Sequence, residues 1–222
     1  MTSNDTLPHD VGRRFITGLR EIFGGAAEAL GDLDRRAGDG DFGTNVRTAM
    51  QHADRTLEAD EPSTYREWVT AMYMAWLGVG GTSGPLFGMF FRDLSKAADG
   101  DDAPTLAQLA DALAAGQATV QKYGEAEVGD KTMIDSLDPA VTALREALEA
   151  GKDAPASLAA AEQAAVEAAR ATAENIAKRG RASYVGDVAK GVIDPGAAAM
   201  ALVLGALRAA VDGKSVDTAW IE

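Results

Sequence analysis

The sequence predicts an all-α protein: one domain of eight antiparallel amphipathic helices in an up-and-down bundle. Three observations lead there. Apolar residues recur at three- and four-residue intervals in one segment after another, the period of a helix with one buried face. Alanine is abundant, aromatic residues make up 6% of the chain, and β-branched runs are few, which favours helix over strand. Turn signals separate the segments at short range, and short links favour antiparallel neighbours. Residues 1–9 are expected to form a flexible start and residues 10–222 the domain.

The first helix is expected over residues 10–31, with Val11, Phe15, Leu19, Ile22 and Phe23 on one face. A turn carrying Gly38-Asp39-Gly40-Asp41 leads to a second helix over residues 44–59, with Val46, Met50, Ala53 and Leu57 inward. Ser63 or Thr64 is the expected N-cap of the third, which carries Trp68, Met72, Ala75 and Trp76. Gly78-Val79-Gly80-Gly81-Thr82-Ser83-Gly84 ends it, and Pro85 is expected as first residue of the fourth. The fifth helix spans residues 105–123, and Gly124 stops it. The sixth opens in Gly129-Asp130-Lys131-Thr132-Met133 and tolerates Pro139 in its early turns. The seventh, residues 155–178, has alanine on its inner face at 161, 164, 165 and 168. An irregular stretch of about fourteen residues follows, long for a compact domain and of a length typical of binding loops. Asp194-Pro195 then starts the eighth helix, Asp as N-cap and Pro in the first turn. The tail after Val211 is short, with Trp220 placed to pack back.

The glycine-rich turns fall after the first, third, fifth and seventh helices. In an up-and-down arrangement those turns share one end. Asp39 and Asp41, Gly80–Gly84, Gly124–Thr132 and residues 181–196 should therefore converge on one site.

Composition excludes several functions. A formal charge of −13 argues against a nucleic-acid surface and against anionic lipid. The chain has no cysteine, hence no disulfide or thiol chemistry. No signal peptide and no apolar run of membrane-spanning length is read in it, so a cytoplasmic location is expected. His9 and His52 read as solvated rather than catalytic.

Asp34, Asp39 and Asp41 fall within eight residues of one another. Asp39 and Asp41 repel unless a cation lies between them or one is protonated. An oxygen-only ligand set of this kind suits Mg²⁺ or Ca²⁺. Helix capping is the structural alternative, although a cap requires only one carboxylate. Gly38-Asp39-Gly40-Asp41-Phe42-Gly43 matches G-x-G-x-x-G, but no strand precedes it and its aspartates would repel a pyrophosphate. An EF-hand fails at Gly43 and Met50, and a Walker A loop before Gly213-Lys214-Ser215 fails at Arg208. Gly80–Gly84 is either an anion site at a helix N-terminus or an ordinary turn. Lys131 and Arg181 are either phosphate-neutralising groups on the same rim or surface cations.

Four motifs taken together resemble the nucleotide-binding L subunit of dihydroxyacetone kinases, over essentially the whole chain. They are Asp34…Gly38-Asp39-Gly40-Asp41, Gly81-Thr82-Ser83-Gly84-Pro85-Leu86-Phe87-Gly88, Gly129-Asp130-Lys131-Thr132-Met133-Ile134-Asp135 and Gly180-Arg181-Ala182-Ser183-Tyr184…Asp194-Pro195-Gly196. The resemblance implies a barrel of eight antiparallel helices with the nucleotide site at one end. It makes Asp34, Asp39 and Asp41 ligands to Mg²⁺, in a pair of ions that tie ADP or ATP to the protein. It puts Gly43, Thr44, Asn45, Thr82 and Ser83 at the phosphates, with Phe42 beside them among the cofactor-binding positions. Gly124, Met133, Arg181, Asp194, Pro195 and Gly196 then hold the adenosine part, with Arg181 also a catalytic candidate. Phe42 stands where the family's metal loop usually has histidine.

The same resemblance implies a kinase that phosphorylates dihydroxyacetone held by a separate K subunit. Its donor is an ADP coenzyme recharged by a phosphohistidine protein of the phosphotransferase system. Two alternatives stay open: an ATP-dependent kinase subunit for another triose or tetrose, and a non-catalytic nucleotide-sensing subunit.

Overall fold

The computed structural model describes residues 6–100, 102–179, 183 and 189–221. They form eight α-helices: α1 Val11–Ala37, α2 Phe42–Asp60, α3 Tyr65–Leu77, α4 Ser83–Leu94, α5 Leu106–Gly124, α6 Met133–Glu149, α7 Ala154–Ala171 and α8 Pro195–Asp212. Among the described residues there is no strand, only an isolated bridge between Thr6 and Thr105. Each helix packs on the next, and α8 closes the ring against α1 while also touching α6. The arrangement is the expected up-and-down bundle, closed into a barrel. C-termini of odd helices and N-termini of even helices share one end.

Local chemistry starts these helices where they start. Thr64, Thr105 and Thr132 each close a capping box, with Glu67, Gln108 and Asp135 respectively, satisfying N–H groups that the first turn leaves without partners. Asp153 and Asp194 cap α7 and α8, each just ahead of a proline-bearing first turn. Helix α8 is long and apolar enough to pass for a membrane span, contrary to the sequence expectation. It is instead the core helix, with Met200–Arg208 all buried.

Several boundaries differ from expectation, each for a local reason. Helix α1 runs on to Ala37 because Leu30, Leu33 and Ala37 continue its buried stripe, so Asp34 lies on a helix and not in the loop. Helix α2 begins at Phe42 because the Asp34 carboxylate accepts the Phe42 N–H at 2.9 Å. Pro85 is the third residue of α4, not the first; the first-turn N–H groups have no partner within the helix, so proline is tolerated there. Helix α7 stops at Ala171 and tightens into a 3₁₀ turn over Thr172–Glu174, where the Thr172 hydroxyl donates to the Ala169 carbonyl at 2.5 Å. The start is less free than expected: Leu7 is buried, and its N–H donates to the Pro104 carbonyl at 2.9 Å.

The first two helices meet through glycine. A Cβ on Gly43 would lie 2.4 Å from the Ala27 carbonyl oxygen and 2.8 Å from the Gly31 Cα. Only glycine lets the start of α2 approach α1 this closely, which sets the Asp34–Phe42 bond. We predict that Gly43→Ala destabilises the fold by about 1–3 kcal/mol, the usual cost of forcing a methyl into packed backbone. Gly25 lies on the open face of α1, where a Cβ would meet nothing within 4 Å. There Gly→Ala should stabilise by roughly 0.5–1 kcal/mol. Urea unfolding of both variants checks the pair.

Candidate functional site

At the shared end the turns surround a cavity of about 410 Å³. The first residues of all four even helices line it: Phe42, Ser83, Met133 and Pro195. Each brings a helix N-terminus, whose dipole favours negative charge; Thr132 and Asp194 cap α6 and α8, while the N-cap residues of α2 and α4 make no side-chain cap hydrogen bond.

The α1–α2 wall carries the aspartates. Asp34 is 9% exposed and anchored on Phe42 N–H, while Asp39 and Asp41 are exposed and line the same cavity. A Cβ on Gly38 would fall 2.4 Å from Asp34 Oδ1, so glycine there leaves room for the carboxylate. The Asp41 N–H points to Asp39 Oδ1 at 3.4 Å. Among the described residues no three acidic or histidine side chains converge as a ready-made metal cage.

The α3–α4 wall is Gly80–Ser83. Helix α4 has no side-chain cap on its N-terminus. The Asn45 amide donates to Ser83 Oγ at 3.2 Å, tying the first turns of α2 and α4 together. Below them the floor is apolar, with Leu86, Phe87 and Val120. The Phe42 ring leans on Phe87 at 6.0 Å, Phe87 stacks on Trp76 at 4.6 Å, and Phe23 meets Trp76 edge-on at 6.3 Å.

The α5–α6 wall brings Gly124, Ala126 and Lys131–Met133. Lys131, read as a rim cation, is only 1% exposed. Its ammonium donates to the carbonyls of Asn175, Ala189 and Val192 at 3.2, 2.7 and 2.8 Å. All three of its donors are used, which removes it as a phosphate contact.

The last wall is Arg179 with Asp194–Gly196. Arg179 is paired to Glu125 and Asp130. Asp194 accepts the Ala197 N–H at 2.7 Å, and its own N–H donates to the Thr172 hydroxyl at 2.8 Å. Burial, seconded by the Asp135 and Asp34 charges, pushes its carboxyl up to about 7, against the Ala197 bond and Lys131.

Of the residues singled out from sequence, the cavity therefore gathers Asp34, Asp39, Asp41, Phe42, Asn45, Thr82, Ser83, Gly124, Met133, Asp194, Pro195 and Gly196. Two lie elsewhere. Gly43 faces Ala27 and Gly31 on α1, and Thr44 is exposed with its hydroxyl accepting from Arg47 at 3.3 Å. Arg181 lies outside the described residues. Leu86 and Phe87, quoted only within a motif, and Val120, Ala126 and Arg179 were given no site role; the apolar four look like ordinary core positions in a periodic pattern.

The model of the DAK2 domain family matches residues 36–209. The chain is 36% identical over 192 residues to the ADP-binding subunit DhaL of the PEP-dependent dihydroxyacetone kinase of Escherichia coli, covering 86% of this chain and 91% of that one. A Listeria innocua subunit of the same description is 32% identical, with 91% and 96% covered. An L-erythrulose kinase of Pectobacterium atrosepticum is 31% identical, but the match spans only 35% of that longer protein. The crystal structure of the dihydroxyacetone kinase of C. freundii in complex with AMP-PNP and Mg²⁺ superposes with a TM-score of 0.65 at 27% identity, over 90% of this chain and 33% of that one.

The raised Asp194 carboxyl makes a prediction about pH. The folded state keeps a proton that the unfolded chain loses between pH about 4 and about 7. Its contribution therefore makes the ligand-free protein less stable as pH rises through that window, by on the order of 1.4 kcal/mol per pH unit. Asp194→Asn keeps an acceptor for Ala197 and abolishes this term. Urea unfolding of wild type and variant from pH 4 to 8 should show the variant gaining on the wild type as pH rises. Parallel curves would refute the assignment.

Proposed function

The chain belongs to the DAK2 domain family, and from that membership we propose that it is the nucleotide-binding subunit of a dihydroxyacetone-type kinase. It passes a phosphoryl group from Mg²⁺-bound nucleotide to dihydroxyacetone held by a partner K subunit. One observation carries the reading: a single cavity joins three aspartates, four helix N-termini and an apolar floor. A nucleoside polyphosphate asks for those three surroundings at once.

The residues divide by chemistry. Asp34, Asp39 and Asp41 hold Mg²⁺, in a pair of ions. Bound there, Mg²⁺ would supply neutralisation of the phosphate charge. Asn45, Thr82, Ser83 and the N–H groups opening α4 receive the phosphates. Leu86, Phe87, Val120, Met133 and Pro195 offer the base an apolar surface, with Gly124 and Gly196 leaving space beside it. The chemistry needs positioning and electrostatics more than a protein base.

The partner docks on the cavity end. Among the described residues the large exposed apolar side chains are Met74, Leu77, Tyr123, Val128 and Ile176. They lie at the C-terminal ends of α3 and α5, in the loop before α6 and just after α7, within a few residues of the cavity lining. Exposed apolar side chains grouped at one end of a domain mark a contact surface. The donor is an ADP coenzyme recharged by a phosphotransferase-system protein, as the PEP-dependent relatives favour. The similarity to L-erythrulose kinase motivates a second reading, an ATP-dependent kinase acting on another ketose. Turnover with ATP and no phosphohistidine donor, in the presence of a K-type partner, would establish it.

Calorimetry with Mg²⁺ and ADP tests the metal assignment. Asp39→Asn combined with Asp41→Asn should weaken ADP binding by roughly tenfold or more, about 1.4 kcal/mol, because the carboxylate–Mg²⁺–phosphate bridge is lost. Unchanged affinity in the double variant would remove the aspartates from the site.

A further inference from the structure

Lys131 borders the cavity, yet its buried ammonium is turned away to join two of the cavity's walls. Its three ammonium N–H groups meet three main-chain carbonyls. One acceptor, Asn175, lies just after the 3₁₀ turn that ends α7. The other two, Ala189 and Val192, lie just before Asp194, the cap of α8. The donor belongs to the loop that opens α6. A single nitrogen thus fastens the chain leaving α7 and the chain entering α8 to the α5–α6 wall.

The surroundings reinforce that point. The Lys178 N–H donates to the Asp130 carbonyl at 3.0 Å, and the Gly191 N–H to the Ala173 carbonyl at 2.8 Å. Lys131 itself has φ 62, a left-handed conformation that a residue with a Cβ adopts only where its surroundings hold it there. A lysine this deeply buried is costly unless every donor is satisfied. Stability alone would be served as well by an apolar side chain of the same volume. Directional bonds to three carbonyls instead fix where Asp194–Gly196 stands.

We propose that Lys131 is a positioning residue for the nucleotide, setting the Asp194–Gly196 wall by hydrogen bonding and making no contact with phosphate. The proposal rests on the nucleotide-binding reading above. It separates two roles that a sequence motif cannot. A phosphate-binding lysine would contribute more as phosphates are added to the ligand. A lysine that positions the α8 wall would contribute equally to adenosine, AMP and ADP.

The test uses the full chain with Lys131→Met and Lys131→Arg, the second keeping the charge but not the three-N–H geometry. Affinities for adenosine, AMP and Mg²⁺-ADP are measured by calorimetry. The expected result is a loss of about tenfold, similar for all three ligands, in Lys131→Met, the scale of one well-formed hydrogen bond. Lys131→Arg should show a smaller loss with the same flat pattern. A loss confined to the phosphorylated ligands, or wild-type affinity for adenosine in both variants, overturns the proposal.

A measurement on the wild type needs no substitution. Amide exchange at Lys178 and Gly191 should slow further when adenosine saturates the site, because the wall they belong to is the one the ligand leans on. Exchange there indifferent to adenosine also overturns it. A wild type that binds no nucleotide at all would instead overturn the kinase reading, and the ligand half of this proposal with it.

Discussion

The whole molecule depends on a constraint of parity. Eight helices, each packed on the next and the last packed on the first, leave no choice about which ends meet. Every even helix starts where every odd helix finishes. Four N-termini are thereby brought to one rim, and the residue opening each of them borders the cavity. Closure of the ring defines this geometry. It is secured by α8, whose side chains are buried along nearly its full length between α1, α6 and α7. The glycine contact between α1 and α2 then sets the fine position of the aspartate wall.

This arrangement answers an electrostatic difficulty. A chain of net charge −13 is a poor partner for a polyphosphate if its field is averaged over the surface. Binding is decided locally. Helix N-termini present partial positive charge over the first turn, where the bulk charge is remote and screened. Carboxylates on the same rim are compatible with phosphate only through a divalent cation. The surroundings of Asp194 and Lys131 take both out of that balance. Asp194 is pushed toward its protonated form by burial, and the Lys131 ammonium is spent on backbone carbonyls.

Most of the fold was legible because its signals are local. Periodic apolar stripes, Thr64 as a cap and Asp194-Pro195 as a start each act within a turn of chain. The gathering of four loops followed from helix parity alone. What was missed depends on packing and hydrogen bonds that no periodic pattern announces. Helix α1 runs past its expected end to carry Asp34, because Leu33 and Ala37 still find buried neighbours. Helix α7 ends early where Thr172 turns its hydroxyl back on Ala169. Gly43 and Thr44 lie in the phosphate-like motif, yet one serves helix packing and the other faces solvent. Nothing local distinguishes Lys131 from a rim cation, since its acceptors are 44 to 61 residues away. The apolar floor was invisible for the opposite reason: its residues look like any core face.

Phe42 shows how position and side chain can be separated. The resemblance places histidine there, and the exchange looks like damage to a metal loop. In the structure the ring is turned toward the interior, in contact with Phe87 and through it with Trp76 and Phe23. What the position gives the aspartate wall is its backbone N–H, which holds Asp34 whatever side chain is attached. The substitution therefore leaves the anchoring of that carboxylate intact. It moves one polar group out of the cavity and extends the aromatic core to the edge of the site. The aspartate loop of this chain is consequently braced from behind by packing, and the polar groups it leaves to the cavity are its carboxylates.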